Sequence, residues 1–516
     1  MTEKNLDIYK FSPQVKEFFD CMRKNFLSPA YEDLRLVPDY SDLHPRDISL
    51  KTQLTREIEL NVPIVSAAMD TVTEADAAIC MARCGGIGIL HKNFHLDPHL
   101  DMQAQVKAVA RVKHHLHARI QTPVGFSKDM TLGALIDKKD QNGYNFDTFL
   151  VYENGGRLAG LITRAVLKYN RYLNRNSRLE DIMIREVVTA NNNTSLQEAY
   201  DIMLEKKIGN IVLVDEDNKV NGMYTFKDVE NVIHNLNKDF TTDSEGRLRV
   251  GAAVGVNDMQ RVQALLDEKV DVIVVDSAHG DSIGVVEAVE RYKKEFPNLQ
   301  LIAGNISTAE AAERLIKAGA DAVKVGQGPG QICSTRIVSG IGVMQPDAVY
   351  RAASAANKYG VPVIADGGIR YSGDIPIALA AGAATVMMGQ ALAGCKESPG
   401  DLLHEDGKLF KIYRGMASVE AMSVKGGSDR YQKEAKDLKK LVPEGITKKL
   451  PYKGHLGDQI FMLAEGAKTG FGYCGARDMK SFKERAQLHR ITAGGVRESH
   501  PDSRGMVHTP PNYSRP

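Results

Sequence analysis

Residues 326–336 read GQGPGQICSTR, so three glycines and a proline precede a cysteine, Cys333, directly after the apolar run ADAVKV. Glycine lets backbone approach a ligand closely, and such a loop can hold an anion through N–H groups or a cation through C=O groups. A thiol above that ring, near the start of a helix and with Arg336 three residues on, can lose its proton easily and act as a nucleophile. Taken alone, the pattern also fits a packed thiol. Other loops change the balance. IADGG (364–368) sets Asp366 before Gly367 and Gly368, which suits a ribose diol beside a phosphate held by backbone amides. VMMGQ (386–390) adds Gly389 and Gln390, and VVDSAHGDS (274–282) adds Asp276 and Ser277. Each loop has a bland reading as a tight turn or helix cap. Their coincidence points to a nucleoside monophosphate.

The elements that must position these loops are short β-branched runs: RVGAAVGV, VDVIVVDSAHG, LQLIAGNIS, ADAVKVGQG, VPVIADGG and AATVMMGQ, with NVPIVSAAMD (61–70) and GGIGILHKN (85–93) upstream. Each is continuously apolar and followed by a helical pattern such as TAEAAERLIKAGA, which indicates parallel strands covered by helices. Eight such units predict an α/β fold, a (β/α)8 TIM barrel, with chemistry at the strand C-terminal ends. The runs finish with Asp70, His91, Asp276, Asn305, Gly326, Asp366 and Gly389, so polar residues and glycines gather on one rim. A doubly wound open sheet is the structural alternative.

Between the second and third units, residues 115–238 contain a repeat: LVYENGGRLAGLIT (150–163) aligns with VLVDEDNKVNGMYT (212–225) at an offset of 62. Helical segments opened by threonine, TLGALIDKK and TSLQEAYDIMLEKK, precede the two copies. The expected organisation is a discontinuous catalytic barrel, 1–114 and 239–516, with a tandem insert, 115–238, whose halves are 115–175 and 180–238. The charged, glycine-punctuated interval 396–447 reads as a mobile flap. With 66 basic and 65 acidic residues among 516, the net charge of +1 gives no sign of a nucleic-acid partner. No apolar run reaches the ~18 residues of a membrane helix and the N-terminus lacks a signal-peptide pattern, so a cytoplasmic protein is expected. Six cysteines are too few for a disulfide framework, and Cys80 and Cys84 read as packing residues in a helix.

In GPGQICSTR, DSAHG, AGN, IADGGIRYSGD, YRGMASVEAM, GGSDRY and KLVPEGI, together with the tandem insert, the chain resembles the inosine 5′-monophosphate (IMP) dehydrogenases over nearly its whole length. The resemblance implies NAD-dependent oxidation of IMP to xanthosine monophosphate in a homotetramer, which could stack to an octamer, with a monovalent cation, usually K+. It assigns Cys333 as nucleophile, Thr335 as its helper, and Arg430 and Tyr431 to the flap that activates water. It gives Asp276, Ser277, Asn305 and Gly326 to NAD. For IMP it implies Ser66, Met69, Asp366, Gly367, Gly368, Gly389, Gln390, Tyr413, Gly415, Met416 and Glu444. The cation would take carbonyls of Gly328, Gly330 and Cys333, with Glu498, Ser499 and His500 from a neighbouring chain. The insert resembles paired CBS domains, so ATP or GTP is expected there, with Thr225 and Asp228 of the second copy matching the ribose pattern; the first copy, TRAV, lacks the acid. Gln331, Gln390, Ala278 and Ala417 depart from the commonest family pattern. The rival readings are a guanosine monophosphate (GMP) reductase using NADPH and a catalytically silent nucleotide sensor.

Overall fold

The computed structural model describes residues 10–501 apart from 116–118, 121–122, 142–143, 145, 154–155, 170–174, 235–237 and 424–441. Eight strands, β1 (Ile64–Ser66), β2 (Ile87–Leu90), β3 (Val250–Val254), β4 (Val272–Asp276), β5 (Leu301–Ile306), β6 (Ala322–Val325), β7 (Val363–Asp366) and β8 (Thr385–Met388), close into a barrel. All neighbours are parallel, and β8 pairs with β1 to shut the ring. The eight runs read from the sequence are these strands. Their unbroken apolarity has a plain cause. Val272 and Val274 join Ile87, Ile89, Ile302 and Met387 inside the barrel, while Ile273 and Val275, on the opposite side of β4, are equally buried. Leu54, Ile58 and Leu60, from a hairpin made by Thr52–Gln53 and Glu59–Leu60, join the same core. Thr52 donates to the Ala384 carbonyl and Thr55 to the Gln300 side chain, both just ahead of a strand, so this hairpin plugs the end opposite the reactive rim.

The chain divides into two compact units, residues 1–115, 239–243 and 248–516, and residues 116–238 and 244–247. In the first, Lys113 ends the helix Pro98–Lys113 and is 1% exposed; its Nζ donates to Asp243 at 2.9 Å and Asp271 at 2.8 Å. The segments of the first unit that flank the insert are thereby clamped side by side. In the second unit each repeat copy builds an antiparallel pair, Phe149–Tyr152 with Leu158–Ile162 and Asn210–Val214 with Val220–Thr225. Leu150 and Leu161 pack with Val212 and Met223 in one cluster, and both pairs are 62 apart, so the repeat buries itself on its own copy. Thr131 accepts from Ala134 N as expected, but the second helix, Leu196–Lys206, is capped by Ser195 rather than Thr194. Glu198 decides this, because it returns a bond to the Ser195 N–H and closes a capping box.

The interval 396–447 starts as ordered structure: Leu403–Glu405, Lys408–Arg414 and Thr447–Pro451 form an antiparallel sheet. Arg430 and Tyr431 lie outside the described residues. Among the described residues no helix is long and apolar enough to cross a membrane.

Candidate active site

The loop after β6 can take its path only with glycine at its start. Gly326 has φ +152°, and a Cβ there would stand 2.2 Å from the Asp366 carbonyl oxygen of β7. Downstream, Cys333 N donates to Gly330 O at 2.9 Å, Ser334 N to Glu444 O at 2.8 Å, and Ile446 N to Ile332 O at 2.9 Å. The cysteine segment is thus stitched to residues 444–446 by main-chain bonds on either side of the thiol. Cys333 Sγ is half-buried and 3.1 Å from Thr335 Oγ1, which donates to Glu444 Oε2 at 2.9 Å. Sulfur, hydroxyl and carboxylate form a chain that can pass a proton away from whatever is bound at the sulfur. Arg336, whose charge interacts with Cys333, also braces the loop. Its guanidinium donates to the carbonyls of Gln327 at 3.2 Å and Val343 at 2.6 Å, bracing both ends of the loop.

A second assembly occupies the neighbouring strand ends. Lys324, 1% exposed on β6, donates to Asp276 Oδ1 at 3.0 Å, to Asp366 Oδ2 at 2.9 Å and to Asn305 Oδ1. Asn305 in turn donates to Gly326 O at 2.7 Å and Asp366 Oδ2 at 2.9 Å. One buried ammonium therefore fixes both carboxylates assigned to ribose. Sequence reasoning missed it; the only signal was a lysine inside the apolar run AVKV. Gln327 was missed as well: it accepts from Ser307 at 2.7 Å and meets Ala278 O and His279, tying the β4, β5 and β6 loops together.

On the far side of the mouth, Gly389 is enclosed by Tyr413 and Met69, since a Cβ would lie 2.5 Å from the tyrosine oxygen and 3.1 Å from the methionine sulfur. Tyr413 is held far above the usual phenol range by burial, reinforced by the charges of Asp366 and Cys333, so its hydroxyl stays a donor. Gly367 and Gly368 have φ +88° and +86°, the left-handed turn that IADGG requires. Lys453 braces the next loop from behind, donating to the carbonyls of Gln390 at 2.5 Å and Ala391 at 3.0 Å, and burial pushes its pKa down to about 8.

These walls enclose a cavity of about 500 Å³. Cys333, Thr335, Glu444, Gly415 and Met416 line one side; Met69, Asp366, Gly367, Gly389 and Tyr413 another; Ser277, Asn305, Gly326, Gly328 and Gly330 the remainder. Four expected residues stand back from it. Asp276 is turned to Lys324, Gln390 is outside the lining with its side-chain oxygen buried, and Gly368 borders an adjoining cavity with Ser499 and His500. Ser66 is fully buried with its Oγ 2.8 Å from Thr73 Oγ1. Strand parity explains this: Val65 faces the barrel core, so Ser66 faces out and Ala67 takes the cavity position. Asp70 and His91 also serve the scaffold. Asp70 receives a two-pronged bond from Arg414 and one from Asn93, and His91 accepts from Asn93 N and stacks on Phe94. Glu498 is in the helix Ala493–Glu498, and His500 meets the Tyr371 ring edge-on. In the second unit Thr225 caps the helix Phe226–Ile233 and donates to Asp228 at 2.5 Å, and burial raises the Asp228 pKa.

Residues 28–502 match the family model for the IMP dehydrogenase / GMP reductase domain. The chain belongs to that family. Among curated relatives it is 45% identical to the inosine-5′-monophosphate dehydrogenase of Aquifex aeolicus over 94% of this chain and 97% of that protein. The corresponding figures for the Halalkalibacterium halodurans dehydrogenase are 46%, 94% and 98%. Among solved structures, a GMP reductase variant from Trypanosoma brucei in complex with guanosine 5′-monophosphate superposes with a TM-score of 0.82 at 37% identity, covering 93% of this chain and 98% of that one. The family thus divides between two reactions on one barrel.

Proposed function

We propose that this chain is an IMP dehydrogenase, oxidising IMP to xanthosine monophosphate with NAD. The observation that carries the reading is Cys333 in the cavity with Thr335 and Glu444 in line behind it, beside a glycine-lined mouth. Cys333 Sγ adds to purine C2, making that carbon tetrahedral and a good hydride donor. NAD supplies the hydride acceptor. Water then attacks C2, the C2–S bond breaks, and Thr335 and Glu444 are placed to take the water's proton. Asp366 and the glycine turns of β7 and β8 would hold the ribose and phosphate, with Tyr413 donating from the side and Met69, Met416 and Gly415 around the base.

The NAD side has an unmet need that a ribose would fill: the Ser282 hydroxyl on the cavity wall is buried with no hydrogen-bond partner among the described residues. Ser277, Asn305 and the Lys324-held Asp276 adjoin it. For K+, carbonyls at Gly328, Gly330 and Cys333 are oxygens of the type a hard cation takes, with Glu498, Ser499 and His500 of a neighbouring copy completing the shell in a tetramer or octamer. The insert reads as a CBS pair taking ATP or GTP at Thr225 and Asp228 of its second copy. Arg430 and Tyr431 are assigned to the flap that assists hydrolysis.

The deciding assay is NADH absorbance on mixing protein, IMP, NAD and K+, with GMP and NADPH run in parallel. IMP-dependent NADH at a rate at least tenfold above GMP-dependent NADPH loss is expected; the reverse ranking makes the chain a reductase. In the Arg430→Ala variant a first burst of NADH should survive while steady turnover collapses, and undiminished turnover removes the flap role.

A further inference from the structure

Outside the active site, two thiols share one position. Cys80 lies in the last turn of the helix Ala75–Arg83 and Cys84 is its C-cap residue, with Cys84 N donating to Cys80 O at 3.0 Å. Both are half-buried and both line a cavity of about 590 Å³ with Arg83, Arg111, His115, Lys396 and the acids Asp76 and Glu397. They meet the same neighbour: a Cβ on Gly457, near the start of the helix Leu456–Tyr473, would lie 3.7 Å from Cys84 Sγ and 3.8 Å from Cys80 Sγ. Both sulfurs therefore face the same point on that helix. Each thiol bears on the other's proton: Cys80, helped by Arg83, lowers the pKa of Cys84, and Cys84, with burial, raises that of Cys80. No other thiol is placed this way. Cys21 is exposed with Asn25 rather than a second thiol beside it, and burial pushes Cys395 and Cys474 up to about 11.

We propose that Cys80 and Cys84 form a peroxide-reactive dithiol that closes to a disulfide. The Cα atoms of residues four apart on a helix are about 6 Å from each other, inside the disulfide range, whereas their Cβ atoms, about 5–6 Å apart, must draw together by about 1–2 Å; Cys84 sits where the helix ends, so closure unwinds its last turn. The Cys84 thiolate attacks the O–O bond of a hydroperoxide; an S–O bond forms, O–O breaks, and the alcohol or water leaves with a proton. Sulfur is oxidised by two electrons and the peroxide reduced. Cys80 then attacks the sulfenic sulfur; S–S forms, S–O breaks, and the departing hydroxide takes the Cys80 proton as water.

Trypsin makes the test direct, because it cuts after Arg83, between the two cysteines. The full-length protein is titrated with hydrogen peroxide, denatured in an alkylating reagent, digested and weighed. Peptides 57–83 and 84–92 should appear joined, lighter by two hydrogens than their sum, at peroxide levels that leave Cys21 alkylated, and should separate after dithiothreitol. Both cysteines still alkylated once Cys21 is oxidised, or sulfinic acid building up on Cys84 without joining, overturns the proposal. In Cys80→Ser the joined pair should give way to sulfinic acid on Cys84. Joining to another cysteine at an undiminished rate would show that this geometry does not set the pairing.

Discussion

The mouth of the barrel is built in two ways. On the Cys333 side, main-chain hydrogen bonds to residues 444–446 and the Arg336 brace on two carbonyls hold the thiol segment. On the Lys324 side, a single buried side chain holds Asp276, Asn305 and Asp366 at once. Arg336 apart, the first scheme tolerates changes of side chain around the thiol, because backbone carries the rest of the geometry. The second concentrates its stability in one ammonium, whose removal leaves two carboxylates with a charge unmatched. The thiol is thus hung on a loop, and the paired carboxylates are hung on strands.

The sharpest contrast comes from deleting one centre on each side. Cys333→Ala should lower turnover about 10⁴-fold or more while the protein keeps its stability and its affinity for IMP; measurable single-turnover NADH from this variant would break the covalent reading. Lys324→Met should do the opposite in kind, destabilising the fold by about 3–5 kcal/mol in denaturant unfolding. The KM for IMP and for NAD should rise together, because one nitrogen serves both carboxylates, and a rise in only one would separate the two halves of the cluster. Lys453 extends the comparison to pH. Its pKa is pushed down to about 8 from the ordinary lysine value of 10.5, so the unfolded chain binds the extra proton between those values. Relative to Lys453→Met, the protein should gain stability as pH rises through that window, on the order of 3 kcal/mol across it; parallel unfolding curves for the two proteins from pH 7 to 10 would refute this. The smallest effect is expected from Thr335→Val, which cuts the link between sulfur and Glu444. Loss of about 10²-fold in steady turnover with the NADH burst retained places the hydroxyl in hydrolysis; loss of the burst places it with the nucleophile.

The strands were legible because both of their faces are buried, so apolarity alone reports them, and the rim was legible because glycine and aspartate at strand ends have few structural reasons to cluster. Lys324 was not, because its partners are 48, 42 and 19 residues away and nothing local distinguishes it from a strand lysine reaching solvent. Ser66 was misplaced for a related reason: a motif names a residue type, whereas the face it takes depends on the parity of a three-residue strand. The sheet at 403–414 was hidden by its charged, glycine-marked turn, which reads as loop until Thr447–Pro451 is brought beside it.

The Lys113 clamp has an evolutionary corollary. With Asp243 and Asp271 gripping one ammonium, the points where the polypeptide departs and comes back are already neighbours, so the barrel does not rely on what is spliced between them to bring them together. A short peptide bridge would serve, and a lineage could acquire, exchange or discard the intervening cassette without redesigning the enzyme that hosts it.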